Sequence, residues 1–191
     1  MLVYFEGIDG VGKSTQISRL SQKFDTFKTY EPGDTKFGKM AREILLYDKN
    51  LSKKAEFLLF LADRAEHFEK VLKPNLNKLI FCDRGFISGI AYALANEPNL
   101  SILELINLNK FALNNFLGDK FIFFRIDEIS LKNRLKMRNT NDKIEERGIK
   151  YLMLVQENMK KILEFLNLDF LDIDATQNID IITQKITEYI R

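Results

Sequence analysis

The chain has 191 residues, 46% hydrophobic and 29% charged, with 29 Lys and Arg against 27 Asp and Glu, a formal net charge of +2. That balance excludes a largely disordered chain and lacks the positive excess that sequence-independent nucleic-acid binding needs. One cysteine, Cys82, and one histidine, His67, exclude an internal disulfide and the usual zinc cages, and the longest uncharged stretch, Gly85 to Asn96, falls short of the roughly 18 apolar residues of a membrane span.

The predicted elements, from the N-terminus, begin with Leu2 to Phe5, an apolar run read as a buried strand. Glu6 and Asp9 interrupt it and no basic residues precede it, so it is not read as a signal peptide. Ile17, Leu20 and Phe24 then fall at helical spacing, and Phe27 to Tyr30 is a weaker strand. Leu58, Leu59, Ala62 and Leu72 suggest another helix, Leu79 to Cys82 a strand, and Ile102, Leu105, Ile106 and Phe111 a helix. Phe121 to Ile126 is a strand, Phe170 to Ile173 a weaker one, and Ile179, Ile182, Ile186 and Ile190 close the chain as a helix. Strand alternating with helix implies one doubly wound α/β domain over residues 1–191, with ligands at the carboxyl ends of its parallel strands. Chemistry is therefore expected just after Phe5, Tyr30 and Cys82.

After the first strand comes Gly7-Ile8-Asp9-Gly10-Val11-Gly12-Lys13-Ser14-Thr15, which fits G-x-x-x-x-G-K-[ST] between a strand and a helix. Glycines let consecutive amides turn toward phosphate oxygens, the helix N-terminus adds partial positive charge, Lys13 reaches the β- and γ-phosphates, and Ser14 can ligate Mg²⁺. The bland reading, a glycine-rich turn capped by Ser14, explains neither the lysine nor the strand before it. Asp83, closing the strand Leu79 to Cys82, is the matching second metal ligand. No N-K-x-D stretch reads guanine, since Asn107-Leu108-Asn109-Lys110 continues with Phe. A motor ATPase usually needs a larger body, so the size suits a small-molecule kinase.

Beyond the loop, an ordered set of motifs over nearly the whole chain resembles the thymidylate kinases. It comprises Phe5 to Gln16, Glu31-Pro32-Gly33-Asp34-Thr35 with Gly38 and Arg42, and Phe60-Leu61-Ala62-Asp63-Arg64-Ala65. Asp83-Arg84 with Ser88, Ala91 and Tyr92 follows, then Asp142-Lys143-Ile144-Glu145 and Asp172-Ile173-Asp174-Ala175. The resemblance implies a P-loop fold with a five-stranded parallel sheet flanked by helices and a small lid at about 134–148. It further implies transfer of a phosphoryl group from ATP to dTMP with Mg²⁺, by a homodimer; the lone cysteine suggests a reducing, cytoplasmic setting, and the charge balance and short uncharged stretch leave neither nucleic acid nor membrane as an expected partner. Another deoxynucleotide kinase of the same fold, or a non-catalytic ATP-binding switch, remain the alternatives.

The resemblance also implies roles. Residues Gly7 to Thr15 hold ATP; Phe60 stacks on thymine, Arg64 bonds a base carbonyl, and Tyr92, with Ser88 one turn before it, lies under the deoxyribose. Arg84 and Arg42 hold the acceptor phosphate, Asp9 places it, and Glu31, Pro32 and Glu145 complete that site. From spacing alone Phe60 is equally a core ring, Arg42 a solvated charge and Tyr92 a half-buried tyrosine. No Arg lies between Ile8 and Val11, so the lid is expected to supply the cation for the transferring phosphoryl, first Lys143 and next Arg138, from a helix-poor stretch Arg134 to Gly148. The chain departs from the family pattern at Lys143, where Arg is usual, at Tyr30, usually Arg, and at Asp34, usually Gly. Gly85 and Gly89 stand where larger residues are common, which is expected to loosen the acceptor pocket. Cys82 is read as a small core residue, and His67 as a cap or surface residue, since phosphoryl transfer needs positioning and cations rather than a general base.

Overall fold

A computed structural model describes residues 1–48, 50–136 and 148–191. Its centre is β1 (Leu2–Glu6), every residue of which is buried. A strand buried on both faces and along both edges has no polar face to show, hence the unbroken Leu-Val-Tyr-Phe run. β3 (Ile80–Asp83) and β4 (Lys120–Arg125) pair with it in parallel, Val3 lying opposite Phe81 and Lys120. β2 (Phe27–Tyr30) and β5 (Phe170–Asp174) complete a parallel five-stranded sheet in the order β2-β3-β1-β4-β5. Aromatic rings fill the layers on the sheet: Tyr4 stacks on Phe121 at 5.6 Å, and Phe5 meets the edge of Phe81 at 5.2 Å. Each such side chain contributes about 1.5–3 kcal/mol by leaving water.

Helices cover both faces: α1 (Lys13–Leu20), α2 (Lys36–Tyr47), α3 (Lys53–His67), α4 (Phe86–Asn96), α5 (Ile102–Ala112), α6 (Glu128–Lys136), α7 (Ile149–Phe165) and α8 (Ile179–Ile190). Three start where a hydroxyl can cap them, Thr35 accepting from Gly38 N, Ser52 from Ala55 N and Ser101 from Glu104 N. Among the described residues no helix is long and apolar enough to cross a membrane.

α3 turns a different face inward than periodicity suggests, and α5, with Leu105 and Ile106 buried as expected, departs at one position. α3 buries Phe57, Leu61, Arg64 and His67, and Phe68 just beyond it, while Leu58 is 57% exposed and Ala62 faces solvent. The run Phe57 to Ala62 is apolar around the whole helix, so spacing cannot choose a face, and the partnered polar residues make the choice. In α5, Phe111 is 84% exposed whereas Asn109 is fully buried. Ile182, Ile186 and Ile190 of α8 are buried as expected, whereas Ile179 is exposed. α7, whose Leu152, Val155, Met159 and Ile162 are all buried, carries a plain amphipathic pattern that is absent from the predicted elements.

Candidate active site

The carboxyl ends of β1, β2 and β3 open onto two adjoining cavities. The first follows β1. Gly12 caps α1 with φ 98°, a left-handed value that glycine adopts without strain, and no side chain caps the helix, so its first amides remain for an anion. Lys13 is 6% exposed, its Nζ donating to the carbonyls of Gly7 (2.9 Å) and Ile8 (3.0 Å). Burial and the neighbouring Arg84 cation push its ammonium down to about 8. Ser14 Oγ donates to Asp83 Oδ2 at 2.7 Å, which brings together two hard oxygen donors of the kind Mg²⁺ takes. Asp9, Gly10, Gly12, Lys13, Ser14 and Thr15 line this cleft of about 630 Å³. Ile8 and Val11 bury their side chains in the core, so at those positions only the backbone faces a ligand.

The second cavity, about 600 Å³, is walled by side chains from several elements. Arg84 leaves β3 with φ 70°. Its guanidinium donates to Asp9 Oδ1 (2.8 Å), Gly7 O (2.8 Å) and Ser88 Oγ (3.2 Å), 5.8 Å from the Tyr92 ring centre. Burial opposes its charge, but Asp9, Tyr92 and Asp83 outweigh that and hold it protonated. Ser88 Oγ in turn donates to the wholly buried Glu6, whose carboxyl burial pushes up to about 7. Glu6 Oε1 has no hydrogen-bond partner among the described residues. Arg64, 2% exposed, donates to Glu31 Oε2 (2.9 Å), Asn109 Oδ1 (2.6 Å) and Gly85 O (3.1 Å). Phe60 stands beside it on the cavity wall, only partly buried. Pro32 and Arg42 line the same cavity, Arg42 Nη1 donating to Pro32 O at 2.9 Å. Asp9, Glu31, Arg42 and Arg84 belong to both cavities.

His67 is neither a cap nor on the surface. It is fully buried, Nδ1 lying 2.9 Å from Glu31 Oε1 and Nε2 2.6 Å from Thr29 Oγ1. A polar ring is tolerated there because both nitrogens are partnered. The glycines do not loosen the pocket. A Cβ on Gly85 would meet the Tyr4 ring at 2.5 Å and one on Gly89 would meet Arg64 Nη1 at 3.0 Å, so Tyr4 and Arg64 occupy the space that larger residues would need. At Tyr30 the hydroxyl donates to Gly33 O (3.2 Å) and the ring lies beside Arg42, 6.0 Å from its guanidinium. Asp34 Oδ2 accepts from Thr29 Oγ1 at 2.5 Å.

Several contributors are missing from the predicted site. A third groove, about 810 Å³, adjoins the phosphate loop between Gly12, Thr15, Gln16, Arg134, Ala175 and Gln177. Arg134 donates to Gly10 O and Val11 O (both 3.2 Å) and to Ala175 O (2.6 Å). The stretch expected to be helix-poor thus begins inside α6, which runs through Lys136 because Leu131 anchors it in the core. The motif Asp172 to Ala175 is the visible signal for this groove; Asn109 and Glu6 carry none, since burial alone reveals them. Arg138, Lys143 and Glu145 lie outside the described residues.

Comparison with known proteins supplies the last observation. The family model "Thymidylate kinase" matches residues 5–186. Over the full length of both chains, this one is 56% identical to a thymidylate kinase of Campylobacter fetus subsp. fetus (strain 82-40) and 50% identical to one of Sulfurovum sp. (strain NBC37-1). It is 48% identical, again over both full lengths, to a thymidylate kinase of Campylobacter jejuni subsp. jejuni serotype O:6.

Proposed function

The chain belongs to the thymidylate kinase family, and from that premise we propose how its residues divide the work of moving a phosphoryl group from ATP to dTMP, the reaction this enzyme carries out. The observation that carries the proposal is the shared wall. Asp9, Glu31, Arg42 and Arg84 border both the phosphate-loop cleft and the side-chain cavity, so a donor phosphate in one lies next to an acceptor phosphate in the other.

On the donor side the loop amides and Lys13 take the β- and γ-phosphates, and the groove beside Arg134 and Gln177 receives the rest of the nucleotide. Ser14 and Asp83 are the residues that would hold Mg²⁺, which when bound neutralises charge on the β- and γ-phosphates. On the acceptor side Phe60 stacks on the base, Arg64 donates to it, Tyr92 and Ser88 underlie the sugar, and Arg42 and Arg84 grip the monophosphate. Asp9 fixes Arg84 by their 2.8 Å ion pair. An acceptor phosphate oxygen then attacks the γ-phosphorus, the bond to the β,γ-bridging oxygen breaks, and ADP leaves. The attacking oxygen already carries charge, so no general base takes part. Lys143, or in its place Arg138, is assigned the cation over the transferring phosphoryl, with Glu145 beside the acceptor, in a lid at about 134–148.

A homodimer is proposed from the apolar side chains left exposed on α3 and α5, among them Leu58, Leu103 and Phe111. A cytoplasmic setting is proposed from the single unpaired thiol, Cys82. The test of the whole reading is ADP release from ATP and Mg²⁺ across a panel of nucleoside monophosphates. Release that depends on dTMP is the expected result; release that ignores dTMP, or responds more to a ribonucleotide, refutes it.

A further inference from the structure

The polar side chains beneath the acceptor cavity have hydrogen-bond roles that can be counted proton by proton. Thr29 Oγ1 lies 2.5 Å from Asp34 Oδ2 and 2.6 Å from His67 Nε2. A hydroxyl has one proton to give, and a carboxylate only accepts. Thr29 therefore donates to Asp34 and accepts from His67, which requires a hydrogen on Nε2. At the other end of the ring, Nδ1 lies 2.9 Å from Glu31 Oε1, while Glu31 Oε2 accepts from Arg64 Nε at 2.9 Å. Burial opposes the charge of Glu31, but Arg64 and His67 together hold its carboxyl below the usual range, so it too is acceptor-only. Nδ1 must then carry a hydrogen as well.

We infer that His67 is a buried imidazolium and a positioning residue, clamping Glu31 from one side while Glu31 holds Arg64 from the other, so that the guanidinium faces the acceptor cavity. The inference rests on the kinase reading only for what Arg64 faces. Arg64 and His67 of α3 stand against Glu31 and Asp34 in the turn after β2. Among the described residues, Asp63 of α3, pushed up to about 6 chiefly by burial, and the Cys82 thiol of β3, pushed up by burial, also stand near the ring. On the same count neither ring nitrogen has a lone pair to offer a metal, although ligand atoms of Glu31, His67 and Cys82 all lie within 4.8 Å of one another.

His67 is the sole histidine of the chain, so ¹⁵N NMR of the tag-free protein reads its ring without ambiguity. At pH 7 both nitrogens are expected to bear hydrogen; one bare nitrogen overturns the inference. In Asp34→Ala Thr29 Oγ1 loses its acceptor, and its proton is then free for His67 Nε2. That variant is expected to show a neutral ring bare at Nε2, and a ring still doubly protonated overturns the count. For the positioning role, His67→Gln keeps one amide donor group where two opposed donors are needed. It is expected to raise KM for dTMP about tenfold while KM for ATP and kcat stay within about threefold. An unchanged KM for dTMP refutes the role, and if His67→Gln does not fold, the same but smaller shift is expected of Asp34→Ala. A wild-type imidazolium in a protein that does not phosphorylate dTMP would refute the kinase reading and leave the protonation state standing.

Discussion

The donor cleft takes most of its lining from one short run, Asp9 to Thr15, while the acceptor cavity gathers Arg42 from α2, Phe60 and Arg64 from α3, Arg84 from the end of β3, and Ser88 and Tyr92 from α4. The first is built of backbone: amides, a left-handed glycine, and a lysine held by two loop carbonyls. The second is built of side chains, the guanidinium groups of Arg64 and Arg84 each fixed by a carboxylate and a main-chain oxygen and that of Arg42 by Pro32 O. Damage should therefore show differently in the two. Loss of a donor-side group removes charge from the reacting phosphates and leaves the fold intact, whereas loss of an acceptor-side group strands a buried partner and costs binding and stability together.

The largest effect expected is that of Lys13→Ala. It removes the cation nearest the donor phosphates and should lower kcat by about a thousandfold, with a thermal midpoint close to wild type, since an ammonium pushed down to about 8 is not stabilised by its burial. Steady-state kinetics and a thermal melt check both halves, and a large loss of stability would erase the distinction between the two sites. Next comes the lid. Lys143→Ala should lower kcat about a hundredfold with little change in KM for dTMP, and Lys143→Arg should retain or raise kcat, because a planar fork grips phosphate better than a point charge. If instead Arg138→Ala abolishes turnover and Lys143→Ala does not, the catalytic cation is Arg138.

Arg64→Ala sharpens the acceptor side of the contrast. It leaves Glu31 with His67 alone, Asn109 Oδ1 without its donor and Gly85 O with only the Gly89 amide, at 3.3 Å. The expected result is a loss of about 3–5 kcal/mol in stability and a rise in KM for dTMP far beyond that for ATP. A variant as stable as wild type would mean that the buried network is not what holds this half together.

The smallest effect is one of pH. The Glu6 carboxyl, at about 7 in the fold against 4.5 ordinarily, binds its proton more tightly when folded. Its contribution is therefore complete below about 4.5 and lost as pH rises through about 7. Glu6→Gln should flatten the fall of stability across that window, by on the order of 3 kcal/mol at most. Asp63, pushed up to about 6, would keep part of the slope. A Glu6→Gln profile parallel to wild type would show that this carboxyl is not the titrating group.

The same contrast explains which parts of the molecule are legible in its sequence. The donor site is contiguous, so Gly7 to Thr15 announces it by spacing, and β1 before it is legible because a central parallel strand must be apolar throughout. The acceptor site depends on which residues the topology brings together. Arg64 and Phe60 are visible as a shared face of α3, but spacing alone cannot choose that face over Leu58 and Ala62. His67 reads as a surface residue because nothing local shows that Thr29 and Glu31, on the neighbouring strand and its turn, meet both ring nitrogens. Asn109 enters the sequence only as part of an absent guanine motif, yet it is buried against Arg64. Phe111 departs the other way, an aromatic ring at helical spacing that faces outward.

Cys82 sits in β3, between Tyr4 of β1 and Thr29 of β2 in register, with no exposed surface and its Sγ donating to Arg84 O at 3.1 Å. As the only thiol of the chain, it makes the protein its own clock for opening. An aromatic disulfide reagent in excess can react only while the middle of the sheet is parted, so the labelling rate at saturating substrate reports how often that happens. Because the strand carrying the thiol continues directly into Asp83 and Arg84, a bound nucleotide that grips those residues should slow the colour change. The slowing, compared between ATP and dTMP, ranks how firmly each holds the sheet shut.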